Sequence, residues 1–274
     1  MTSDLDRVRD YYDARRDVEW QRLEASWLEF AVTYHFIQEV LEPGDSVLDI
    51  GGGPGRYALA LAAAGHPVDL ADLSPACLAL AETEACRRGL SLRGTTPADA
   101  RDLSCFADAA FDCVLNLGPL YHLTRPDDRR LCVAESLRVL KPGGYVFFAF
   151  LSRYAALHFT AKTAAAAVSS AGTRAMRILR EGRYRPAAAE DFFVDAVFDD
   201  PAEIATVFDG VDLERESLFG AESFLAQSEA RLADLPKAAR EDWTALAIAT
   251  ARTPAALYGS EHLVFVGRKP AASG

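Results

Sequence analysis

Residues 49–55 combine an acid with regularly spaced glycines, a pattern that suits ligand binding. Asp49 precedes Gly51, Gly53 and Gly55, which occupy alternate positions. Glycines in such a turn let a ligand approach the backbone, and a helix that begins there offers free N–H groups. A carboxylate before the turn would repel a pyrophosphate but attract a ligand with an amino group and a cationic centre. The spacing therefore predicts a nucleotide-type pocket for a ligand of that charge.

Two common glycine motifs do not match this stretch. The dinucleotide fingerprint requires a third glycine where Arg56 stands, which argues against NAD. A P-loop would close with Gly-Lys and then Ser or Thr, which this turn lacks. S-adenosylmethionine (SAM) carries both an amino group and a cationic sulfonium, so the residues indicate SAM as the ligand.

Strands and helices alternate around this turn and position its side chains. An apolar run at residues 47–50 predicts a buried strand, residues 56–64 a helix and residues 68–71 a second strand. Asp72 ends that strand 21 positions after Gly51, a spacing at which an acid reaches ribose hydroxyls. We therefore expect Asp72 to bind a ribose.

A second candidate group follows the predicted fourth strand, residues 111–116. Ligands of open α/β sheets bind at the carboxyl ends of the strands, so the loop at 117–123 should face the reacting group. His122 can accept a proton near neutral pH, and Tyr121 can orient a nucleophile or relay a proton. A buried structural role is an equally good interpretation of His122.

The glycine turn, Asp72 and the Leu-Lys-Pro-Gly-Gly sequence at 140–144 together resemble the class I SAM-dependent methyltransferases over about residues 45–150. The resemblance implies SAM as the cofactor and S-adenosylhomocysteine (SAH) as its product. It also implies that Asp49 holds the amino group of the donor and that Asp99, or else Asp102, holds the adenine amino group. The expected cofactor-binding residues are Asp49, Gly51, Gly53, Gly55, Asp72, Leu73, Asp99, Ala100 and Asn116.

The expected fold is a Rossmann-like, doubly wound α/β sheet of seven strands, the last of them antiparallel, with helices on both faces. Residues 1–42 form a predicted N-terminal helical lid, and residues 43–151 the SAM-binding core. Residues 152–200 are interpreted as a helical insertion that covers the substrate. Residues 201–274 complete the sheet and include a second helical insertion at 221–259.

Composition limits the expected location and partners. A net charge of -11 argues against a nucleic-acid partner, because such proteins use basic surfaces to displace counterions. The chain has no run of 18 apolar residues and begins with a polar segment, so we expect a cytoplasmic protein without a membrane partner. Five cysteines without a Cys-x-x-Cys pair indicate reduced thiols and no metal site. The sequence leaves the oligomeric state open.

The predicted reaction is in-line methyl transfer to a small, partly aromatic acceptor, which Tyr12, Tyr121 and His122 would contact. His122 or a tyrosine would remove the proton of the acceptor. The sequences at 19–23, 118–123 and 260–263 resemble bacterial small-molecule methyltransferases, some of which methylate indole carbons of tryptophan cyclic dipeptides in natural-product pathways. An indole carbon is therefore one expected acceptor. Oxygen and nitrogen acceptors, and a non-catalytic SAM-binding protein, are the alternatives.

Overall fold

The computed structural model describes residues 4–186 and 193–271. It begins with two helices, α1 (Asp4–Ala25) and α2 (Trp27–Gln38), as the aromatic spacing predicts. Helix α1 has a kink at Arg15, whose backbone is not helical. Both helices precede the sheet and pack over it.

The first half of the sheet follows the predicted alternation closely. Ser74 caps the helix after β2, because its side chain accepts a hydrogen bond from the backbone N–H of Cys77. The elements in order are β1 (Val47–Ile50), α3 (Arg56–Ala63), β2 (Val68–Asp72), α4 (Pro75–Arg87), β3 (Gly94–Pro97), β4 (Phe111–Asn116), α5 (Pro119–His122), α6 (Pro126–Val139) and β5 (Leu140–Ser152).

The second half alternates between helical segments and short strands. Three short 3₁₀ turns lie at Ala165–Ala167, Ile204–Phe208 and Ser223–Leu225. The other elements are α7 (Ala155–Thr163), α8 (Val168–Glu181), β6 (Arg183–Tyr184), β7 (Ala196–Asp199), β8 (Glu214–Gly220), α9 (Glu229–Ala233), α10 (Lys237–Thr250), α11 (Pro254–Gly259) and β9 (His262–Arg268).

The strands form one sheet in the order β3-β2-β1-β4-β5-β7-β6, and β9 lies beside β5 with β8 next to it. Strands β1 to β5 are parallel, whereas β9 runs antiparallel to β5. Neighbouring residues of β5 point to opposite faces, so that Phe147 and Phe148 belong to different apolar clusters, one on each side of the sheet. The predicted Rossmann-like class and the antiparallel last strand are confirmed.

The predicted number of seven strands is wrong, because the described residues form nine. The two additional strands, β6 and β7, lie within the segment 152–200 that the sequence assigns to a helical insertion. Strand β7 is buried from Ala196 to Phe198, so its side chains do not alternate between polar and apolar and the strand pattern is hidden. Part of the predicted insertion, residues 187–192, lies outside the described residues. None of the described helices is long and apolar enough to cross a membrane.

Candidate active site

A large cavity lies between the N-terminal helices and the carboxyl ends of the strands, and it encloses about 1140 Å³ including open solvent. Ten of the twelve predicted site residues line it. Residues of α1 and α2 form one wall, and the turns after β1, β2 and β4 form the opposite wall. The predicted cofactor turn and the predicted catalytic loop therefore share one site.

The turn after β1 brings the backbone very close to neighbouring groups. Gly51 and Gly53 both adopt a positive φ, of 64° and 56°. A Cβ on Gly51 would overlap the ring of Pro119, and a Cβ on Gly52 would overlap the carboxylate of Asp49. Only glycine at position 52 leaves the Asp49 carboxylate in its observed place, and only glycine at position 51 leaves room for the ring of Pro119.

Asp49 is buried in the cavity wall, and neither carboxylate oxygen has a hydrogen-bond partner among the described residues. Burial, with the nearby charge of Asp72, raises the pKa of Asp49 to about 7. A buried carboxylate without a partner is unfavourable unless a cation or hydrogen-bond donor satisfies it. Asp49 is therefore suited to an ammonium group that enters with a ligand.

Asp72 ends β2, and its two oxygens each accept one backbone N–H, from Gly53 at 2.7 Å and from Ser74 at 2.8 Å. Burial raises the pKa of Asp72 to about 6. Each carboxylate oxygen has a second lone pair, so Asp72 can still accept two hydroxyl groups in a fixed orientation. This geometry suits the vicinal hydroxyls of a ribose.

Leu73, Asp99 and Ala100 line the neighbouring part of the cavity, beyond β2 and β3. Arg101 donates to both carboxylate oxygens of Asp99 and also forms an ion pair with Asp128, which together fix the Asp99 side chain. Asp102, the alternative to Asp99, does not line the cavity.

Two predicted cofactor-binding residues do not line the cavity. The buried Asn116 side chain donates to Cys132 Sγ and Ser136 Oγ of α6, so it joins β4 to that helix. Gly55 precedes α3 with φ of 82°, where a Cβ would crowd Ala81. Asn116 and Gly55 both contribute to packing between elements, although Asn116 Oδ1 has no hydrogen-bond partner among the described residues, so their contact with a cofactor stays a prediction.

The predicted catalytic residues form a hydrogen-bonded chain. His122 Nδ1 lies 3.0 Å from the backbone oxygen of Asp195, which can only accept, so Nδ1 carries the proton. His122 Nε2 then accepts the hydroxyl proton of Tyr12, 3.0 Å away. Burial lowers the pKa of His122 to about 4 and raises that of Tyr12 well above its usual value. Both groups are therefore neutral near pH 7, with the phenol as donor.

Contacts before and after Tyr12 in the chain fix helix α1, which carries the Tyr12 side chain. Asp13, the next residue, accepts hydrogen bonds from the hydroxyl of Ser74 at 2.5 Å and from the N–H of Ala76 at 3.2 Å. Near the start of the helix, Arg7 forms an ion pair with the buried carboxylate of Asp195. The backbone carbonyl of Asp195 orients His122, so one residue links both members of the pair.

Tyr121 lies next to His122 in the cavity wall, with ring centroids 4.8 Å apart. It is buried, and burial raises its pKa. The tyrosine is therefore neutral and lies beside, rather than within, the chain of hydrogen bonds between Tyr12 and Asp195.

Sequence reasoning missed the polar residues at the other end of the cavity. Glu19 and Arg22 of α1 form a bidentate pair, and Glu29 and His262 lie beyond them. The sequence predicts no functional role for His262, although it lies in the 260–263 stretch, because a single histidine at a strand end gives little signal. Asp195 was missed as well, because it lies in the segment without a recognisable pattern.

Comparisons with known proteins agree with this geometry. Residues 48–148 match the family model described as a methyltransferase domain. The ubiquinone biosynthesis O-methyltransferase of Thiobacillus denitrificans is 32% identical over 177 residues, which cover 65% of this chain and 68% of that protein. The ubiquinone/menaquinone biosynthesis C-methyltransferase of Saccharophagus degradans is 32% identical over 48% of this chain and 52% of its own length. A SAM-dependent methyltransferase from Methanosarcina mazei has a similar fold, with a TM-score of 0.58, 21% identity, and coverage of 86% of this chain and 97% of that one.

The sheet, the glycine turn and these matches place the chain in one class of enzyme. It belongs to the class I SAM-dependent methyltransferases, with SAM as the methyl donor, as the sequence predicts. The residues present fit this cofactor, because the unpartnered Asp49 carboxylate suits its ammonium group and Asp72 suits its ribose.

Proposed function

We propose that this enzyme methylates a small, partly aromatic acceptor that lies in the cavity next to Tyr12 and His122. The observation that carries the proposal is the hydrogen bond between these two residues within the cavity that Asp49 also lines. Helices α1 and α2 cover the sheet at this point, which favours an enclosed small molecule over a macromolecule.

The cofactor-binding roles follow from the positions of the acids. Asp49 binds the ammonium group of the donor, Asp72 binds the ribose hydroxyls, and Leu73 with Asp99 and Ala100 borders the adenine. When bound, SAM supplies an electrophilic methyl group and leaves as SAH. The protein aligns the acceptor with that methyl group and excludes water.

Tyr12 and His122 remove the proton of the acceptor. As the acceptor atom bonds to the methyl carbon, the sulfur–methyl bond breaks and its electron pair stays on sulfur. The acceptor proton moves to the Tyr12 oxygen, and the Tyr12 hydroxyl proton moves to His122 Nε2. The Asp195 carbonyl holds the imidazole in the tautomer that can accept it. Tyr121 packs against His122 and borders the acceptor.

An indole carbon is the specific acceptor that we propose, because the sequences at 19–23, 118–123 and 260–263 resemble bacterial small-molecule methyltransferases, some of which methylate indole carbons. The alternative is a phenolic oxygen, which is favoured by the similarity to a ubiquinone biosynthesis O-methyltransferase. Either nucleophile must lose a proton, so both use the same pair of residues.

The test is a methyl-transfer screen with indoles, phenols and amines, followed by Tyr12→Phe and His122→Gln on the best acceptor. We expect kcat to fall in both variants while the Kd for SAM stays the same. Tyr34→Phe is the matched control, because Tyr34 is a half-buried tyrosine of α2 that does not line the cavity. SAM binding without turnover of any acceptor would favour a non-catalytic SAM-binding protein, and normal kcat in both variants would disprove the relay.

A further inference from the structure

A second polar group lines the cavity on the side away from the adenine-binding turn. His262 at the start of β9 and Glu29 of α2 both face this space, and Ala149 and Val264 form its apolar floor. Strands β1, β4, β5 and β9 are consecutive neighbours, so β9 lies roughly 14 Å across the sheet from β1. The Asp72 side of the cavity lies in the opposite direction from β1. The Glu29–His262 end is thus the acceptor end.

Glu222 holds His262 from behind the cavity wall. Its Oε1 lies 2.6 Å from His262 Nδ1, and its Oε2 accepts the backbone N–H groups of Glu261 and His262, each at 3.1 Å. Glu222 is buried and does not itself line the cavity. The next residue, Ser223, has a positive φ of 52°, a strained conformation for a residue with a side chain. The imidazole is therefore held in one orientation.

This arrangement leaves one donor and one acceptor directed at a ligand. Burial alone would lower the pKa of His262, but the carboxylates of Glu29 and Glu222 raise it to about 9, so the ring is cationic near neutral pH. Since Nδ1–H is bonded to Glu222, Nε2–H remains, and it has no partner among the described residues. The Glu29 carboxylate likewise receives no hydrogen bond within the described ranges, and its Oε2 lies 3.8 Å from His262 Nδ1.

Charges of opposite sign at this distance disfavour an ionic ligand group. A carboxylate attracted by His262 would be repelled by Glu29, and an ammonium attracted by Glu29 would be repelled by His262. The Glu222 carboxylate adds a negative charge behind His262, and Arg56, which lines the cavity and interacts with Glu29, adds a positive charge, so these two cancel. The nearby Glu19–Arg22 pair is internally neutral and does not change this balance. A neutral group with adjacent C=O and N–H satisfies both residues, because its oxygen accepts from the imidazole and its N–H donates to the carboxylate.

We propose that Glu29 and His262 form a specificity subsite that binds an amide group of the methyl acceptor, with Glu222 as the residue that positions His262. The subsite rests on the proposed function, because it takes this end of the cavity as the acceptor site. The subsite further implies that the acceptor has an amide group at some distance from the atom that is methylated.

The test compares matched probes that differ only in the terminal group. Indole-3-propionamide, indole-3-propionate and 3-(indol-3-yl)propylamine are titrated by calorimetry into protein saturated with SAH. The three corresponding phenyl compounds form a second series that does not depend on an indole acceptor. We expect wild-type protein to bind the amide at least about tenfold more tightly than either ion in at least one series, since each ion forfeits one charge-assisted hydrogen bond.

Two variants should change this preference in opposite directions. Glu29→Gln removes the repulsion of carboxylates and should raise their affinity, whereas His262→Gln should raise the affinity for ammonium probes. A merely structural role would weaken all probes alike and leave no such reversal. Glu39→Gln and His35→Gln are the matched controls, because these exposed residues at the end of α2 do not line the cavity. Both should retain the wild-type preference.

The outcomes separate this subsite from the proposed reaction. If the probes bind without preference, or if neither series binds, the subsite is wrong, whatever the result of the turnover screen. An amide preference that reverses in the two variants would support the subsite even if Tyr12→Phe turned over normally. The ligand atoms of Glu29, Glu222 and His262 lie within 4.8 Å of one another. Tight Zn²⁺ binding that both variants abolish, without any probe preference, would overturn the amide subsite in favour of a metal site.

Discussion

The affinity of this enzyme for SAM should depend on pH through Asp49. In the protein without ligand, the buried carboxylate has a pKa raised to about 7, so it is largely protonated at pH 6. A ligand ammonium binds the ionised carboxylate, and binding must therefore expel the proton at low pH. The affinity should be close to its full value about one pH unit above 7, should be about half of it at pH 7, and should fall further as the pH decreases.

The magnitude follows from the fraction of Asp49 that is ionised. That fraction is about one half at pH 7 and about one eleventh at pH 6, so the contribution of Asp49 should raise the Kd about fivefold over this interval and about tenfold per unit below it, in addition to the smaller contribution of Asp72. Calorimetric titration from pH 7.5 to 5.5, in two buffers of different ionisation enthalpy, measures both the Kd and the protons released on binding.

Two comparisons assign the effect to Asp49. SAH retains the amino group, so its Kd should depend on pH in the same way as that of SAM. 5′-Methylthioadenosine lacks the amino acid part, so the pH dependence of its Kd should reflect only Asp72, whose pKa burial raises to about 6. Asp49→Asn should bind SAM weakly, with a profile as shallow as that of methylthioadenosine. Identical pH profiles for SAM and methylthioadenosine on the wild-type protein would refute this assignment.

Three further outcomes are expected. Gly52→Ala should weaken SAM binding by more than about tenfold, because its Cβ would overlap the Asp49 carboxylate. Gly44→Ala is the control: its φ of 88° is strained for alanine, but its Cβ meets open space and Gly44 does not line the cavity, so the Kd for SAM should not change. Equal Kd values for Gly52→Ala and the wild-type protein by calorimetry would contradict this. Tyr12→Phe should lower kcat by about a hundredfold and leave the Kd for SAM unchanged, as measured by turnover and titration. Without ligand, Asp49→Asn should stabilise the protein at pH 8 by about 4 kcal/mol, because the folded-state pKa is raised from 3.8 to about 7 and the ionised form is disfavoured. That gain should vanish in urea unfolding below pH 4, where Asp49 is protonated in both states.

The first half of the fold was accessible from the sequence because its signals are local. The turn from Asp49 to Gly55 lies within a few residues, and the strand before it and the helix after it have regular patterns. Asp72 was found by its distance along the chain from the same turn. Contiguous signals of this kind identify a strand, a turn and a helix before any tertiary contact is known.

The pairing of the catalytic residues could not be read in the same way. Tyr12 and His122 are 110 positions apart, and His122 and Asp195 are 73 apart. The sequence indicates that each side chain is able to carry a proton, but only the folded chain places the phenol on Nε2 and the carbonyl on Nδ1. For Asn116 the local sequence was misleading in the opposite way. Its position at the end of β4 suggested contact with a ligand, but its side chain forms hydrogen bonds to residues of α6.

The proposed donor site lies within the matched sequence, whereas part of the proposed acceptor site lies outside it. The family match spans residues 48–148, which contain Asp49, Asp72 and the turns that suit SAM. The residues that face the proposed acceptor from the other side, Tyr12, Glu29 and His262, lie outside that range, on helices and a strand contributed by the two ends of the chain. Relatives that match 177 and 138 residues of this chain are named for methylation of oxygen in one case and of carbon in the other. Similarity in that region thus accounts for the donor, and the choice of acceptor must be sought in the contacts made by the ends of the chain.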